Sequence, residues 1–375
     1  MAYETGNLPL ETLIGPAARA TEALTRLDER LARSPVRDGW IERQHFADAA
    51  AALWLEGELV HLEDLVLHDA HMDIRLPTHE LTRAHAVLRA RRQIVGNKPD
   101  WALSADGLRQ LTRRDSMAEP TPPAAVGGGA AEGGADAGSS AGDTASPDEL
   151  SNALASMDRV LERTGKVLDG SEALTEAGRP ASADRPSLVY DLEWDEDARL
   201  AEWQDVIVQT RSLPVVLRAA ILLEAWSEID VLQRAAWLGP LLVAALLRQE
   251  GIAGHHLPSL HLGSKQIPRE RRRAHSRADR LVAWLYAIHQ AAILGLKEHD
   301  RLMLAKGQME RRLTERRSSS RLPDLIEFVL SRPLVSSSMI QQALKVSKQG
   351  ALTLVGELGL REMTGRGRFR AWGAL

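Results

Sequence analysis

The chain has 375 residues, 44% of them hydrophobic, with a net charge of −4 and no cysteine. This length exceeds one ordinary hydrophobic core, so two or three domains are expected. The lack of cysteine excludes disulfides, thiolate metal sites and cysteine nucleophiles, and it favours a cytoplasmic protein. The longest apolar stretch, residues 235–247, is shorter than the ~20 residues that a membrane-spanning helix needs, so no membrane partner is predicted.

Charge is distributed unevenly along the chain. Residues 264–375 contain 22 Lys and Arg against 10 Asp and Glu, whereas the preceding residues contain 25 against 41. The two parts therefore carry +12 and −16. A basic end of this kind indicates a nucleic-acid partner, although a solvated helical face would show the same bias.

Apolar residues recur at helical spacing in the N-terminal part. They predict amphipathic helices over residues 10–31, from about 41 through 67, and over 77–94. In the last of these Arg83 is expected to point away from the apolar side. We interpret residues 1–118 as an N-terminal helical unit.

Histidines in this unit raise the question of a metal site. His68 and His71 are spaced for one helical face. The chain offers neither a His-Glu-x-x-His motif nor a second paired-ligand motif, so hydrogen-bonded or solvated imidazoles are the simpler interpretation. His255, His256 and His261 are interpreted in the same way, and no metal or cofactor is predicted.

The central part of the chain alternates between low complexity and dense helix. Residues 119–147 are rich in Gly, Pro and Ala and predict a disordered linker. Residues 148–321 predict a helical domain with basic connecting helices. Within it, residues 148–168 are predicted to form one helix, and the cluster Arg271–Arg273 is predicted to open a long basic helical stretch over residues 274–317.

The last part, residues 322–375, has the pattern of a winged helix-turn-helix. A first amphipathic helix ends before Pro333, and Ser338 with Gln341 suggests a capping box for the second helix. Small Ala343 is expected to permit close crossing of the helices.

A tight turn at Lys345 and Val346 leads to Ser347, which is a suitable N-cap for the next helix. The glycine-containing segment 362–372 alternates as a β-hairpin does and predicts the wing.

In a helix-turn-helix the early residues of the second helix meet bases or phosphates in the major groove, and a basic wing meets phosphates. The predicted partner is double-stranded DNA, bound by a dimer on two half-sites; use of the winged helix for protein contacts stays open. The candidate DNA-binding residues are Ser347, Lys348, Gln349, Thr353, Arg366, Arg368 and Arg370.

Part of the middle resembles Fic-domain proteins, which commonly transfer AMP to protein hydroxyls. The apolar segment from Pro214 to Ile229 resembles the helix that leads into the Fic active site. The segment from Gly239 to Gly251 resembles the helix that leaves it, and Leu-Pro-Ser-Leu-His-Leu-Gly at 257–263 is similar to the segment that follows.

The active loop of that family reads His-Pro-Phe-x-Asp/Glu-Gly-Asn-Gly-Arg-x-Gly-Arg. The corresponding residues 229–240 contain no His, no Asn and only Gly239 of the glycines, so the general base and the phosphate cradle are missing. Ala52 to Gly57 resembles the inhibitory helix, whose glutamate pairs with a motif arginine. Because that arginine is missing here, Glu56 either has another partner, for which Arg234 is one candidate, or is solvated.

The whole chain also resembles a family of uncharacterised bacterial proteins that join a helical unit to a C-terminal helix-turn-helix. The resemblance implies a mainly α fold: a Fic-like helical bundle interrupted by a disordered linker and followed by a winged helix-turn-helix. We expect a DNA-binding regulator without enzymatic activity, in which the Fic-like helical domain serves as a scaffold, dimeriser or sensor. Two alternatives stay open, an enzyme that retains nucleotide transfer through altered residues and a module that binds protein partners. No small-molecule effector is indicated.

Overall fold

The computed structural model describes residues 3–4, 6, 8–72, 76–116, 194–313, 321–363 and 370–373. All of them belong to one compact unit, which comprises Met1–Pro120 and Leu192–Leu375. The predicted linker over residues 119–147 and the predicted helix over residues 148–168 lie outside the described residues. Arg366 and Arg368 lie outside them as well.

The described part is mainly α-helical, as the sequence predicts. The N-terminal elements are α1 (Leu10–Ala32), α2 (Arg37–Leu55), α3 (Leu62–Asp69), α4 (His79–Gly96), a 3₁₀ turn (Trp101–Leu103) and α5 (Ala105–Ser116). The single helical pattern predicted from about 41 through 67 is wrong, because it forms two helices. Gly57, with φ +90°, takes the chain out of α2 in a backbone conformation that glycine adopts without steric cost.

A second set of helices follows. Its members are α6 (Glu196–Gln209), α7 (Val215–Ile229), α8 (Leu238–Gln249), α9 (Leu260–Lys265), α10 (Arg269–Arg272) and α11 (Arg277–Arg311). Almost every side chain of α7 and α8 is buried, so both are core helices. The basic stretch predicted from residue 274 starts as a helix only at Arg277, after the N-cap Ser276.

Helix α11 has 35 residues, which corresponds to a length of about 52 Å, and it packs against α1, α2, α7, α9 and α10. Glycines allow the closest approaches. A Cβ at Gly263 of α9 would overlap the carbonyl oxygen of Ala287. The indole Nε1 of Trp40 donates to the carbonyl of Gly295 at 3.0 Å. α11 therefore forms the axis around which the helical body is built.

A buried ion pair lies where α2, α4 and α9 meet. Asp48 and Arg91 form a salt bridge with no solvent exposure of either side chain. His261 Nδ1 lies 2.9 Å from Asp48 Oδ2, and Arg91 also donates to the carbonyl of Leu257 at 3.0 Å. Burial acts to raise the pKa of Asp48, but the charges of Arg91 and His261 outweigh it and hold that pKa below its usual value.

The C-terminal elements have the winged-helix order. They are α12 (Leu322–Leu330), β1 (Val335–Ser336), α13 (Ser337–Leu344), α14 (Lys348–Leu358), β2 (Arg361–Glu362) and β3 (Ala371–Gly373). The strands form an antiparallel sheet in the order β1-β3-β2, with Trp372 opposite both Val335 and Glu362. Trp372 is buried and joins the sheet to the core of the module.

Two details of the predicted module are wrong. The N-cap of α13 is Ser336, whose Oγ accepts from the amide of Met339 at 3.2 Å, and not Ser338. The extended backbone of Ser336, which ends β1, places its hydroxyl over the first turn. Ala343 is exposed rather than at a helix crossing, whereas Ala351 is fully buried.

No helix within the described ranges is both long and apolar enough to cross a membrane.

Candidate nucleic-acid interface

The turn between α13 and α14 matches the sequence prediction. Lys345 adopts the left-handed conformation, with φ 54°, and ends α13. The amide of Val346 donates to the carbonyl of Gln341 at 3.3 Å. Ser347 caps α14, since its Oγ accepts from the amide of Gly350 at 3.1 Å. These local bonds fix the angle at which α14 leaves the turn.

Helix α14 has one buried side and one exposed side. Ala351, Val355 and Leu358 are buried against the rest of the module. Four of the seven candidate DNA-binding residues lie together at the exposed N-terminal end of the helix: Ser347, Lys348, Gln349 and Thr353. The Thr353 hydroxyl donates to the carbonyl of Gln349 at 2.9 Å, so its oxygen stays available as an acceptor.

The wing contributes one described candidate. Arg370 is exposed, but its guanidinium pairs with Glu362 Oε2 at 2.6 Å and lies over the ring of Trp372 at 5.4 Å. The sequence predicts that Arg370 contacts phosphates. Because Arg370 is paired with Glu362 in the free protein, a phosphate would have to compete with that carboxylate for the guanidinium.

Two cations on this surface were missed by the sequence analysis. Lys345 lies in the turn and Arg361 lies in β2, and both are exposed. In the part of the chain that the structure describes, no ion pair is formed by Lys345, Lys348 or Arg361. The sequence signal for Lys345 was its position two residues before the N-cap of α14, near the end of the helix that is expected to contact phosphates.

The winged helix is attached firmly to the helical body through α12 and the residues that follow it. A Cβ at Gly39 of α2 would lie 3.1 Å from the carbonyl oxygen of Leu330. Arg43, also on α2, donates to the carbonyl of Arg332 and to Glu298 Oε1, the latter at 2.9 Å. The body therefore fixes the orientation of the module and leaves α14 accessible.

The C-terminal end of α14 is held by a cation. Arg312 donates to the carbonyl of Leu358, and Gly359, with φ +59°, follows as the C-cap. A positive charge at this end stabilises the helix dipole. The N-terminal end of α14 begins at exposed Lys348. Backbone amides and the positive end of the dipole at such a helix start attract an anion such as phosphate.

A second helix–turn–helix junction lies in the body, at residues 230–237, between α7 and α8. Its backbone carbonyls are bound by neighbouring side chains. Trp226 Nε1 donates to Ala236 O at 3.0 Å, and His261 Nε2 lies 3.0 Å from Trp237 O. The side chain of Trp237 is buried.

Glu56 lies close to this junction. Its partner is Arg83, which also pairs with Glu58 and donates to the carbonyl of Arg234 at 3.3 Å. The expectation of a solvated Glu56 is therefore wrong, because the turn after α2 folds this side chain onto α4. Burial raises the pKa of Glu56 despite the opposing charge of Arg83.

The histidines that suggested a metal site make hydrogen bonds and ring contacts. The rings of His68 and His85 pack edge to face at 4.7 Å, and His85 Nε2 lies 3.3 Å from Asp69. His255 and His256 both contact the carboxylate of Asp28. Across the described ranges no three His, Asp or Glu side chains are grouped to hold a metal ion.

Comparison with known proteins gives family matches over two parts of the chain. A family model described as a protein of unknown function (DUF1612) matches residues 188–314, and a helix-turn-helix DNA-binding domain model matches residues 322–375. A protein of Sinorhizobium fredii, described as uncharacterized protein y4cF, is 50% identical over 381 residues and is matched over 100% of both chains. The chain belongs to the same family as that protein. The helix-turn-helix match points to DNA binding as the role of the C-terminal module.

Proposed function

We propose that the protein is a DNA-binding transcriptional regulator whose helical body is a catalytically inactive, Fic-like scaffold. The observation that carries the proposal is the exposed N-terminal end of α14, the second helix of a winged helix-turn-helix. A recognition helix needs this arrangement, with its apolar side buried and polar residues of its first turn free.

Each exposed side chain has a role that its chemistry suits. Gln349 is able to form the paired hydrogen bonds that recognise adenine in the major groove. Lys348 and Lys345 neutralise phosphates, and the amides at the start of α14 add to this attraction. Ser347 and Thr353 supply hydroxyls to base edges or phosphates.

Affinity from one module is expected to be modest. The described surface offers three unpaired cations, Lys345, Lys348 and Arg361, while Arg370 is paired with Glu362. Two half-sites bound by a dimer would roughly double the number of phosphate contacts. A homodimer on an inverted repeat is therefore part of the proposal.

The absence of enzymatic activity is proposed from residues 229–240, which include the body junction. No histidine is present to accept the proton of a target hydroxyl, and no Gly-Asn-Gly run is present to bind phosphates. The pairing of Glu56 next to the junction supports the Fic-like interpretation. Its partner Arg83 lies on α4, in place of the motif arginine that is missing.

Selection of duplexes from a random library by the full-length protein tests the DNA-binding role. We expect recovery of an inverted repeat whose affinity falls steeply with salt and drops about 10-fold or more in a Lys348→Ala/Gln349→Ala variant. Arg33→Ala, an exposed arginine on the body, is the control and should bind as the wild type does. Failure to retain any duplex at low salt would reject the proposal in favour of a protein-binding module.

Incubation of the full-length protein with labelled ATP and a mixture of acceptor proteins tests the enzymatic alternative. We expect no labelled adduct on any protein. A reproducible adduct that disappears in an Arg234→Ala variant would show that the altered junction transfers nucleotides.

A further inference from the structure

A cavity of about 580 Å³ opens on the helical body between the 3₁₀ turn, α6, α7 and the C-terminal end of α8. We call it the body cavity. Its volume lies in the range of sites that bind small molecules. The described residues that line it all belong to the helical body, and none of them comes from the winged helix.

A buried arginine in the wall of the body cavity has an unsatisfied donor. Arg218, in the first turn of α7, is only 6% exposed. Its Nη1 donates to Glu250 Oε1 at 2.7 Å, but its Nε finds no hydrogen-bond acceptor within the described part of the chain. A buried donor without an acceptor is costly, so this guanidinium gains if an acceptor enters the cavity.

Two further charges at the cavity have no partner. Arg211 follows α6 and Asp100 precedes the 3₁₀ turn, and both are exposed. Neither side chain forms an ion pair or a hydrogen bond to another of the described residues. With Arg218 and Glu250 they place two positive and two negative charges around one cavity. Both signs of charge are therefore available to a ligand, and they balance.

The body cavity also offers apolar surface. Leu246 is buried, and Leu103 and Ile207 are half-buried. Val208 is 55% exposed, although it is apolar. A ligand that covers these side chains would remove apolar surface from water, which favours binding.

We propose that the body cavity binds a small zwitterion with an apolar body, of the kind represented by apolar amino acids and their dipeptides. The carboxylate would pair with Arg211 and accept from Nε of Arg218, as guanidinium groups favour. The ammonium would pair with Asp100, and the apolar part would cover Ile207 and Val208. A simple anion would leave Asp100 without a partner, and a simple cation would leave both arginines without one.

The proposal does not depend on the DNA-binding function, because α14 takes no part in the cavity. It is tested with the full-length protein by isothermal titration calorimetry. The probes are L-phenylalanine and the dipeptide leucylphenylalanine, at concentrations up to about 10 mM so that weak binding is detected. Each probe is also used as its N-acetyl form, which lacks the ammonium, and as its amide, which lacks the carboxylate. We expect at least one zwitterion to bind about 10-fold more tightly than either of its modified forms.

Variants locate the binding. Arg211→Gln and Asp100→Asn should each weaken binding of the zwitterion about 10-fold, and both replace exposed side chains that the fold does not need. Arg218→Lys keeps a positive charge opposite Glu250 but removes Nε, and should weaken binding by a similar factor. The matched controls are Arg33→Gln and Asp205→Asn, which change exposed residues outside the cavity and should bind as the wild type does.

The other outcomes overturn the proposal. Absence of binding by both zwitterions would show that the cavity does not take this class of ligand. Equal binding of a zwitterion and its N-acetyl form, or of a zwitterion and its amide, would show that one charge is not recognised. Unchanged binding in both Arg211→Gln and Asp100→Asn, or equal losses in the controls, would place the ligand outside the body cavity. None of these results bears on binding of DNA by the winged helix.

Discussion

Among the described residues, the α7–α8 junction and the α13–α14 junction begin alike and end differently. Asp230 after α7 and Lys345 after α13 both adopt the left-handed conformation, with φ values of 53° and 54°. The body junction then has its backbone bound by Trp226, His261 and Arg83, whereas the C-terminal turn is held by its own backbone and by its cap, Ser347.

The difference shows how one local geometry serves two purposes. A junction whose carbonyls are occupied by surrounding side chains is part of the core, and its sequence is constrained by packing. A junction that satisfies its own hydrogen bonds leaves its exposed side chains free to meet a ligand. The first is expected to govern the stability of the protein and the second its affinity for DNA.

The largest expected effect comes from the ion pair that supports the body junction. Arg91→Met should lower the free energy of unfolding by about 3–5 kcal/mol, because it leaves the buried carboxylate of Asp48 without its main partner. Urea denaturation followed by circular dichroism measures this. Exposed Arg89 on the same helix provides the control, and Arg89→Met should change stability by no more than about 0.5 kcal/mol. Equal effects of the two changes would show that the ion pair does not hold the junction.

Glycines near the start of the second helix of each junction give a matched comparison. A Cβ at Gly239 would overlap the ring of Trp226, whereas a Cβ at Gly350 would lie 3.4 Å from Ser347 Oγ, in ordinary contact. Gly239→Ala should destabilise the protein by about 1–3 kcal/mol. Gly350→Ala should be neutral or stabilise it by up to about 1 kcal/mol, because alanine favours helix. Thermal unfolding of both variants measures the contrast, and a stabilised Gly239→Ala protein would contradict it.

The body should also lose stability in mild acid. Burial lowers the pKa of His45 and of His256 in the folded protein, so both stay neutral at pH values where the unfolded chain, with a pKa of about 6.5, binds protons. Their contribution is therefore present above pH 6.5 and is lost as the pH falls below it. Between pH 7.5 and 5.5 each should cost about 1 kcal/mol.

Urea midpoints at the two pH values measure this loss. The expected result is a smaller pH dependence in His256→Gln than in the wild type. The exposed His275→Gln variant serves as the control and should retain the full dependence. An unchanged dependence in His256→Gln would mean that this histidine does not stay neutral in the folded state.

The smallest expected effect concerns the cap of the recognition helix. Ser347→Ala removes the acceptor for the amide of Gly350 and should destabilise the winged helix by about 1 kcal/mol. Ser347→Asp should keep the cap but repel phosphates, so it should restore stability and still weaken DNA binding. Hydrogen exchange of the α14 amides and DNA titration separate the two effects, and full DNA affinity in Ser347→Asp would place the hydroxyl outside the interface.

Much of the winged helix could be predicted from local sequence. The capping role of Ser347, the turn at Lys345 and the buried positions Ala351, Val355 and Leu358 follow from short-range rules and agree with the structure. The cap of α13 was placed two residues too late, since pairing of β1 with distant Trp372 sets where that helix begins. The DNA-contact roles of the candidate residues stay predictions.

Less of the body could be predicted. The spacing of apolar residues identified α1 and α4, and residues 148–321, which contain α7 and α8, were predicted to be a helical domain. The same periods gave no sign that Arg91 would be buried against Asp48, because the partners of a charged side chain lie on other helices. The pairing of Glu56 with Arg83 was missed for the same reason.

The helical class, the order of the C-terminal elements and the basic charge of the end of the chain follow from the sequence. These depend on residues within a few positions of one another, where hydrogen bonding, side-chain periodicity and composition decide the outcome. The sequence did not indicate that side chains bind the backbone of the body junction, or that the turn before α14 leaves its side chains exposed. Nor did it indicate that Arg370 is paired and that Arg43 fixes the module to the body. Those features depend on contacts between residues distant along the chain, which only the packing of the helices brings together.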